Sequence, residues 1–404
     1  MDPGTPPNRP PAATRWRVVG ATIAVGVVAM IQTGKTAPAL PLIGRELDIG
    51  MVTAGWIASM VSLAGALLGF AAGVFVDRIG CRRALLLGAA CLLVGSAAGA
   101  LAAAAPVLLA ARFVEGVGWI AIMVAATPMI AFATASRDRG LALGLWSAYY
   151  PTGMIVVLLA ASGLVDALGW RALWLLGAAL SAAVMAAFAL ATAGEAPAAG
   201  PVRFAFADIG HALSRAPVWL LALVFLIQTQ ASFSLMTWLP TLLIDQLGRS
   251  VATAAILTAG FVALFVPANI LGGWLVRHDG RRAWLAFLIG GAGIGLMPGL
   301  MFADLPEWQR FAGAALFPLT TGLVAGAVYA AIPVFAPSPR QIGAAGGVVL
   351  QGATLGALAG PPLLASVVVS FSWNAVDWLF AAQGAVVVGA ALALRRLSRQ
   401  QRLG

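Results

Sequence analysis

Twelve stretches of this chain run for about 20 residues or more with almost no charge, and a soluble fold has no interior large enough to hide them all. A helix needs roughly 17 to 25 mostly apolar residues to cross ~30 Å of hydrocarbon. Read on that criterion, spans 1 to 12 lie at 18–43, 52–76, 84–104, 107–132, 140–165, 170–193, 217–243, 252–276, 283–303, 309–335, 341–369 and 373–394. The longer ones must tilt or project from the bilayer. In lipid each backbone N–H and C=O needs a partner within the segment or in a closed barrel, and a barrel would require alternating strands of about ten residues. The sequence therefore predicts an all-α membrane protein with twelve transmembrane helices. Only 9% of its residues are charged and 61% are hydrophobic, against about 25% charged in soluble domains.

The arginines set the orientation. Eighteen of them lie in segments that share a side with the N-terminus, including Arg15, Arg17, Arg78, Arg82, Arg83, Arg137, Arg139 and Arg395. The opposite side carries Arg45, Arg171, Arg249 and Arg310. Cytoplasmic loops hold the excess of base, so both termini are expected in the cytoplasm of a bacterial inner membrane. The same distribution accounts for the net charge of +10 without nucleic acid as a partner. The Pro-rich residues 1–17 read as a disordered cytoplasmic leader with no signal-peptide cleavage pattern. Cys81 and Cys91, one in a cytoplasmic loop and one in a span, predict no disulfide.

An internal repeat divides the spans into halves. "GVFVDRIGCRRALL" from Gly73 and "GWLVRHDGRRAWL" from Gly273 each follow the second span of a half. "IQT" recurs at Ile31 and Ile227, and "GWRALW" at Gly169 is echoed by "SWNAVDW" at Ser372. The expected organisation is a six-helix bundle at 18–193, a cytoplasmic linker at 194–216, a second bundle at 217–394 and a basic tail at 395–404.

These motifs resemble the major facilitator superfamily of secondary transporters over nearly the whole chain. Its loop between spans 2 and 3, roughly G-x-L-A-D-R-x-G-R-R-x-x-L, is matched by Gly73, Asp77, Arg78, Gly80, Arg82 and Leu85, with Cys81 in place of a basic residue. In the second copy Arg277 stands where the Asp would be. "ARFVEGVGW" supplies the R-x-x-x-G-x-G of the fourth helix through Arg112, Gly116 and Gly118. The resemblance implies two pseudo-symmetric bundles and alternating access, with Gly73, Asp77, Arg78, Gly80 and Arg82 as a cytoplasmic gate. More weakly, "WLPTLLIDQLGRS" and a basic residue before Pro in span 1 look like the cyanate and nitroimidazole permease branch.

Lys35 is the only lysine, and Ala29 to Thr36 fits a relaxed phosphate-loop pattern. A phosphate loop needs free N–H groups between a strand and a helix, whereas this octapeptide lies inside an apolar span. No nucleotide is expected, no metal follows from the separated His211 and His278, and no cofactor beyond an ion gradient, with protons as the coupling ion. Lys35 and the Arg112/Glu115 pair should lie at similar depth on the outer halves of spans 1 and 4. An ionisable group there costs roughly 2.5 to 3.5 kcal/mol and needs a cavity or a partner. The resemblance places spans 1, 4, 7 and 10 around a central cavity. Lys35 and Arg112 are thus candidate anion ligands, and Glu115 a candidate proton carrier; snorkelling of Lys35 or a structural Arg112–Glu115 pair are the alternatives.

Uncharged polar residues mark further candidates: Gln32 in span 1, Tyr149 and Tyr150 in span 5, Gln228, Thr229, Gln230, Ser232 and Ser234 in span 7, Asn269 in span 8, Tyr329 in span 10 and Gln351 in span 11. Spans 3, 6, 9 and 12 have almost none. "TAPALP" is expected to end span 1, and "YYPTG", "WLP" and "GPP" to interrupt spans 5, 7 and 11. The expected function is proton-coupled uptake of a small organic anion by a transporter that works as a monomer, since one chain holds both halves of a pathway. Efflux of a drug-like or amphipathic compound is the runner-up, disfavoured because Pro151 lacks the Gly-rich setting of drug antiporters. A non-transporting sensor or a polytopic enzyme would be a different class; an enzyme would need catalytic acids or His clusters at the membrane face.

Overall fold

The computed structural model describes residues 13–194, 215–276, 282–303, 305–335 and 342–403. No strand occurs among them. Twelve helices are long and apolar enough to cross a membrane: Trp16–Glu46, Met51–Gly69, Cys81–Ala100, Ala105–Ala133, Tyr149–Leu168, Arg171–Ala191, Ala216–Asp245, Val251–Val276, Ala283–Phe302, Glu307–Phe335, Ala345–Ser370 and Trp373–Ser398. They are spans 1 to 12.

Three of these spans are interrupted, and one local cause serves all three. Span 1 is Trp16–Gly34 followed by Thr36–Glu46, span 5 is Arg139–Ser147 followed by Tyr149–Leu168, and span 8 is Val251–Ala263 followed by Phe265–Val276. Lys35, Ala148 and Leu264 sit at the breaks, and each is followed three residues later by a proline: Pro38, Pro151 and Pro267. Proline has no N–H, so the carbonyl four residues earlier loses its helical donor. That carbonyl belongs to Gly34, Ser147 or Ala263, the last residue before each break.

The expected breaks are corrected on this basis. "TAPALP" does not end span 1; the helix resumes and continues to Glu46. Span 8 breaks where no break was expected. "WLP" and "GPP" lie within continuous helices, Ala216–Asp245 and Ile342–Ser370. Packing explains their continuity. The Trp238 indole donates to the Pro361 carbonyl at 2.9 Å. Gly352, Gly356 and Gly360 bring the span 11 backbone onto that of span 7, where a Cβ on Gly360 would stand 2.7 Å from the Gln230 carbonyl. Small residues let membrane helices approach this closely.

Two compact units are present. One comprises residues 1–49, 60–203 and 248–256, the other 50–59, 204–247 and 257–404. In the first, span 1 packs on spans 4, 5 and 6, and span 3 on spans 4 and 6. In the second, span 7 packs on spans 10, 11 and 12, and span 9 on spans 10 and 12. The same pairs recur six spans later, so the repeat seen in the loops is also a repeat of packing.

Thr14 and Arg15, expected within a disordered leader, are hydrogen-bonded. Residues 1–12 lie outside the described residues, but Thr14 donates to Asp138 at 2.6 Å and accepts from the Ala135 amide at 3.0 Å. Arg15 donates to the Ala133 carbonyl through its backbone and to the Phe132 carbonyl through its guanidinium. These bonds tie the start of span 1 to the end of span 4 and the loop after it. Most of the 194–216 linker, at 195–214, and the second-copy loop, at 277–281, lie outside the described residues. The helix from Val376 continues to Leu403 through the basic tail.

A buried three-charge site in the N-terminal unit

The break in span 1 presents a lysine and a set of helix-end carbonyls to the interior of the first unit. Lys35 lies at the break with its amide still bonded to the Ile31 carbonyl. Its side chain has no exposed surface. The ammonium donates to Gln32 Oε1 at 2.5 Å, Glu115 Oε1 at 2.6 Å and Ser96 Oγ at 2.7 Å. Three donors meet three acceptors, and the face of Trp174 lies 4.6 Å away.

Span 4 supplies the other two charges. Arg112 and Glu115 are three residues apart and share a helix face, and both are fully buried. The second oxygen of Glu115 accepts from Arg112 Nη1. That nitrogen also donates to the Gln32 carbonyl at 2.6 Å, one of the last four carbonyls of the Trp16–Gly34 helix. Cations are favoured at such helix ends. One carboxylate is thus shared between two cations, leaving the cluster with one positive charge in excess.

Spans 3 and 6 complete the enclosure. Gln32 Nε2 donates to Ser181 Oγ at 2.9 Å, and Ser96 donates to the Trp174 carbonyl at 2.7 Å. Gly177 makes the space, since a Cβ there would stand 2.5 Å from Gln32 Oε1 and 2.8 Å from Ser96 Oγ. Lys35, Arg112 and Glu115 were expected on the wall of a cavity lined by spans 1, 4, 7 and 10; they point into the N-terminal bundle, toward spans 3 and 6. Ser96, Trp174, Gly177 and Ser181 were missed because those two spans looked apolar. The available signal was the pairing of Gly and Ser in "GSAAG" at Gly95 and in Gly177 with Ser181.

The remaining candidates are dispersed. In span 7 Gln228 donates to Ser232 at 3.1 Å and Gln230 to Ser234 at 3.0 Å, all four buried. Thr229 donates to Gln228 at 3.3 Å. Tyr149 is half-buried and stacks on Trp146 at 4.5 Å. Tyr150, Asn269 and Gln351 are half-buried. Tyr329 is 57% exposed with its ring edge-on to Phe225.

At the loop between spans 2 and 3, Gly80 has φ +83°, which ends one helix and starts the next. Arg82 donates to Thr192 at the end of span 6 at 3.0 Å, and Arg78 is exposed. Asp77 occupies the last turn of Met51–Ile79, two residues after Phe75 and one turn beyond Gly73.

Residues 22–335 match the family model described as Major Facilitator Superfamily. The chain belongs to the major facilitator superfamily. The twelve helices long and apolar enough to cross a membrane agree with that membership, and the chain spans about a third or less of the length of several curated relatives it matches. It is 33% identical to the multidrug efflux pump LfrA of Mycolicibacterium smegmatis over 43% of this chain, and spans 34% of that relative's length. A match covering more of the chain is the probable nitrate/nitrite antiporter NarK1 of Thermus thermophilus, 27% identical over 80% of this chain and 78% of the other. Among solved structures, a bacterial homologue of the human lysosomal transporter Spinster superposes with a TM-score of 0.77 over 98% of both chains at 18% identity. At that identity the likeness concerns the fold.

Proposed function

We propose that this transporter carries a small organic anion inward together with a proton across a bacterial inner membrane, with both termini in the cytoplasm. The observation that carries the reading is the single Glu115 carboxylate held between Lys35 and Arg112. When a proton neutralises Glu115, both cations lose their shared partner. An anion can then take the same two donors, one oxygen to each. The cluster keeps one excess positive charge before and after, because the proton and the anion arrive as a neutral pair. Proton and anion must therefore enter together, because protonation of Glu115 alone would leave a second uncompensated charge in low dielectric, where its cost is several kcal/mol.

Gln32 and Ser96 retain Lys35 during the exchange through bonds that do not involve Glu115. Opening of the cluster falls to the interrupted span 1, with the loop around Asp77 and Gly80 as the cytoplasmic gate. The similarity to an antiporter of nitrate and nitrite, both monoanions, supports an anionic substrate. The similarity to a multidrug efflux pump supports a second reading, outward movement of a drug-like compound against protons, within the shorter region that it covers.

Flux in proteoliposomes separates the two. With the interior made alkaline or acidic, small carboxylates, nitrate and a cationic dye are offered in turn. Uptake of a carboxylate or nitrate that follows the inward proton gradient is the expected result. Dye movement driven by protons with no anion flux would replace this reading with efflux.

A further inference from the structure

Spans 9 and 12 of the second unit pack antiparallel in close contact. A Cβ on Gly295 would stand 3.6 Å from Gly384 and one on Gly291 would stand 3.0 Å from Val388. At the end of this seam the Arg395 guanidinium lies 4.6 Å from the centre of the Trp284 ring. Arg395 follows Gly384 and Val388 on the side that meets span 9, whereas Arg396 follows Ala385, Gly389 and Leu392 on the exposed side. The outer side of the seam is apolar, with Leu285 and Ile289 of span 9 and Leu392 of span 12 exposed.

Arginines at other helix ends have acceptors within the protein. Arg82 donates to Thr192 at 3.0 Å, Arg15 donates to the Phe132 carbonyl at 2.9 Å, and Arg137 lies 3.6 Å from Asp138. The Arg82–Thr192 bond is the counterpart in the first unit, where the start of span 3 meets the end of span 6. Arg395 differs. Its Nε is buried and has no hydrogen-bond partner among the described residues. Arg396, beside it, is exposed. No acidic residue follows Asp377, which lies at the opposite end of span 12, and the helix continues to Leu403 with Arg399 and Arg402 one and two turns beyond Arg395. The segment before span 9 adds Arg277, Arg281 and Arg282 against a single acid, Asp279.

We propose that this end of spans 9 and 12 binds the phosphate of an anionic phospholipid, with an acyl chain along the seam beside Leu285 and Leu392. Trp284 holds the Arg395 plane by a cation–π contact. The planar fork of a guanidinium suits phosphate through paired N–H···O bonds, and Arg396 is the second cation. Basic groups lodged between membrane helices at the headgroup level recognise anionic lipids in this way. Charge selects among lipids, because a choline or ethanolamine headgroup brings its own cation to a place that already holds an excess. Such binding is independent of what the protein transports.

The test offers the purified full chain, in detergent, equal concentrations of dioleoylphosphatidylglycerol and dioleoylphosphatidylcholine, and counts bound lipid by native mass spectrometry. Phosphatidylglycerol should be retained preferentially, with one molecule held more tightly than the rest. A basic residue at a membrane surface contributes about fivefold to anionic-lipid affinity. Joint Arg395→Gln and Arg396→Gln should therefore lower retention by about twentyfold. Arg396→Gln alone, at an exposed position, should lower it by about fivefold and gives the answer if the double variant does not fold. Trp284→Leu should weaken retention with every charge kept. Joint Arg83→Gln and Arg137→Gln removes the same charge from the first unit and should leave retention unchanged. Equal loss in that control would mean a diffuse basic surface and overturn the site. Equal retention of the two lipids, unchanged retention in Trp284→Leu, or displacement of the bound lipid by glycerol phosphate at the same concentration, the mark of a site for a soluble anion, would overturn it as well.

Discussion

Lys35 Nζ stands 2.6 Å from Glu115 Oε1, and neither side chain has any exposed surface. The contact joins span 1 at its break to span 4, and Arg112 engages the other oxygen of the same carboxylate. The balance of charge in this cluster, more than any single bond, should govern how it responds to substitution.

Glu115→Gln leaves two buried cations with no carboxylate, whereas Lys35→Met leaves Arg112 and Glu115 as a neutral pair. Removing one partner of a buried pair costs about 3 to 5 kcal/mol. Glu115→Gln should therefore lower the thermal stability of purified protein by that order, and Lys35→Met by clearly less. Heating followed by size-exclusion chromatography gives the ranking. The opposite order would show that bonds to Gln32 and Ser96, not the charge balance, hold the cluster.

Gly177 tests the enclosure from the side of span 6. An added Cβ must displace Gln32 Oε1, which already serves Lys35, or Ser96, which bonds the Trp174 carbonyl. Overpacking costs about 1 to 3 kcal/mol, and Gly177→Ala should show a loss of that order. Gly163→Ala is the internal control, since a Cβ there meets nothing within 4 Å; it should be neutral or slightly stabilising, as helix propensity favours Ala over Gly. Equal behaviour of the two variants would mean that the cluster is loosely packed.

The loop between spans 2 and 3 yields a conformational prediction. Gly80 adopts φ +83°, a region that costs an L-residue about 1 to 3 kcal/mol. Gly80→Ala should strain the junction of spans 2 and 3, and Asp77→Asn should remove the acid from the last turn of span 2. Both should slow flux while leaving equilibrium ligand binding within about twofold. Wild-type flux in Asp77→Asn would exclude a gating role for that residue.

The helical architecture was legible because hydrocarbon imposes a length and a polarity on each span, and the repeat was legible in its loops. Span 1 shows where such reading fails. Pro38 announces a disturbed helix, but whether the chain stops or resumes depends on what surrounds the break, and the Arg112 that bonds the nearby Gln32 carbonyl is 80 residues away from it. Pro361 gives the converse case, as its carbonyl is received by Trp238 from another span. The three charges could be grouped by depth from the sequence alone. Their direction could not, because the hydroxyls of Ser96 and Ser181 and the gap at Gly177 look like ordinary small-residue packing until the helices are assembled.

Affinity and coupling should separate between Lys35 and Glu115. In Lys35→Gln the anion loses one charged donor, and a hydrogen bond to a charged group contributes about 1.5 to 3 kcal/mol, so affinity should fall roughly tenfold or more. Lys35→Arg restores the charge as a planar fork in a space shaped by Gln32, Ser96 and Glu115 for a compact ammonium, and should rescue only in part. Glu115→Gln resembles the protonated carboxyl permanently, so it should still exchange labelled anion across the membrane but no longer accumulate it against its gradient. Both activities can be read on one set of proteoliposomes, counterflow for exchange and a pH step for accumulation, with folded protein normalised by its size-exclusion profile. Accumulation by Glu115→Gln at the wild-type level would remove Glu115 as the proton carrier, and unchanged apparent affinity in Lys35→Gln would confine Lys35 to a structural part.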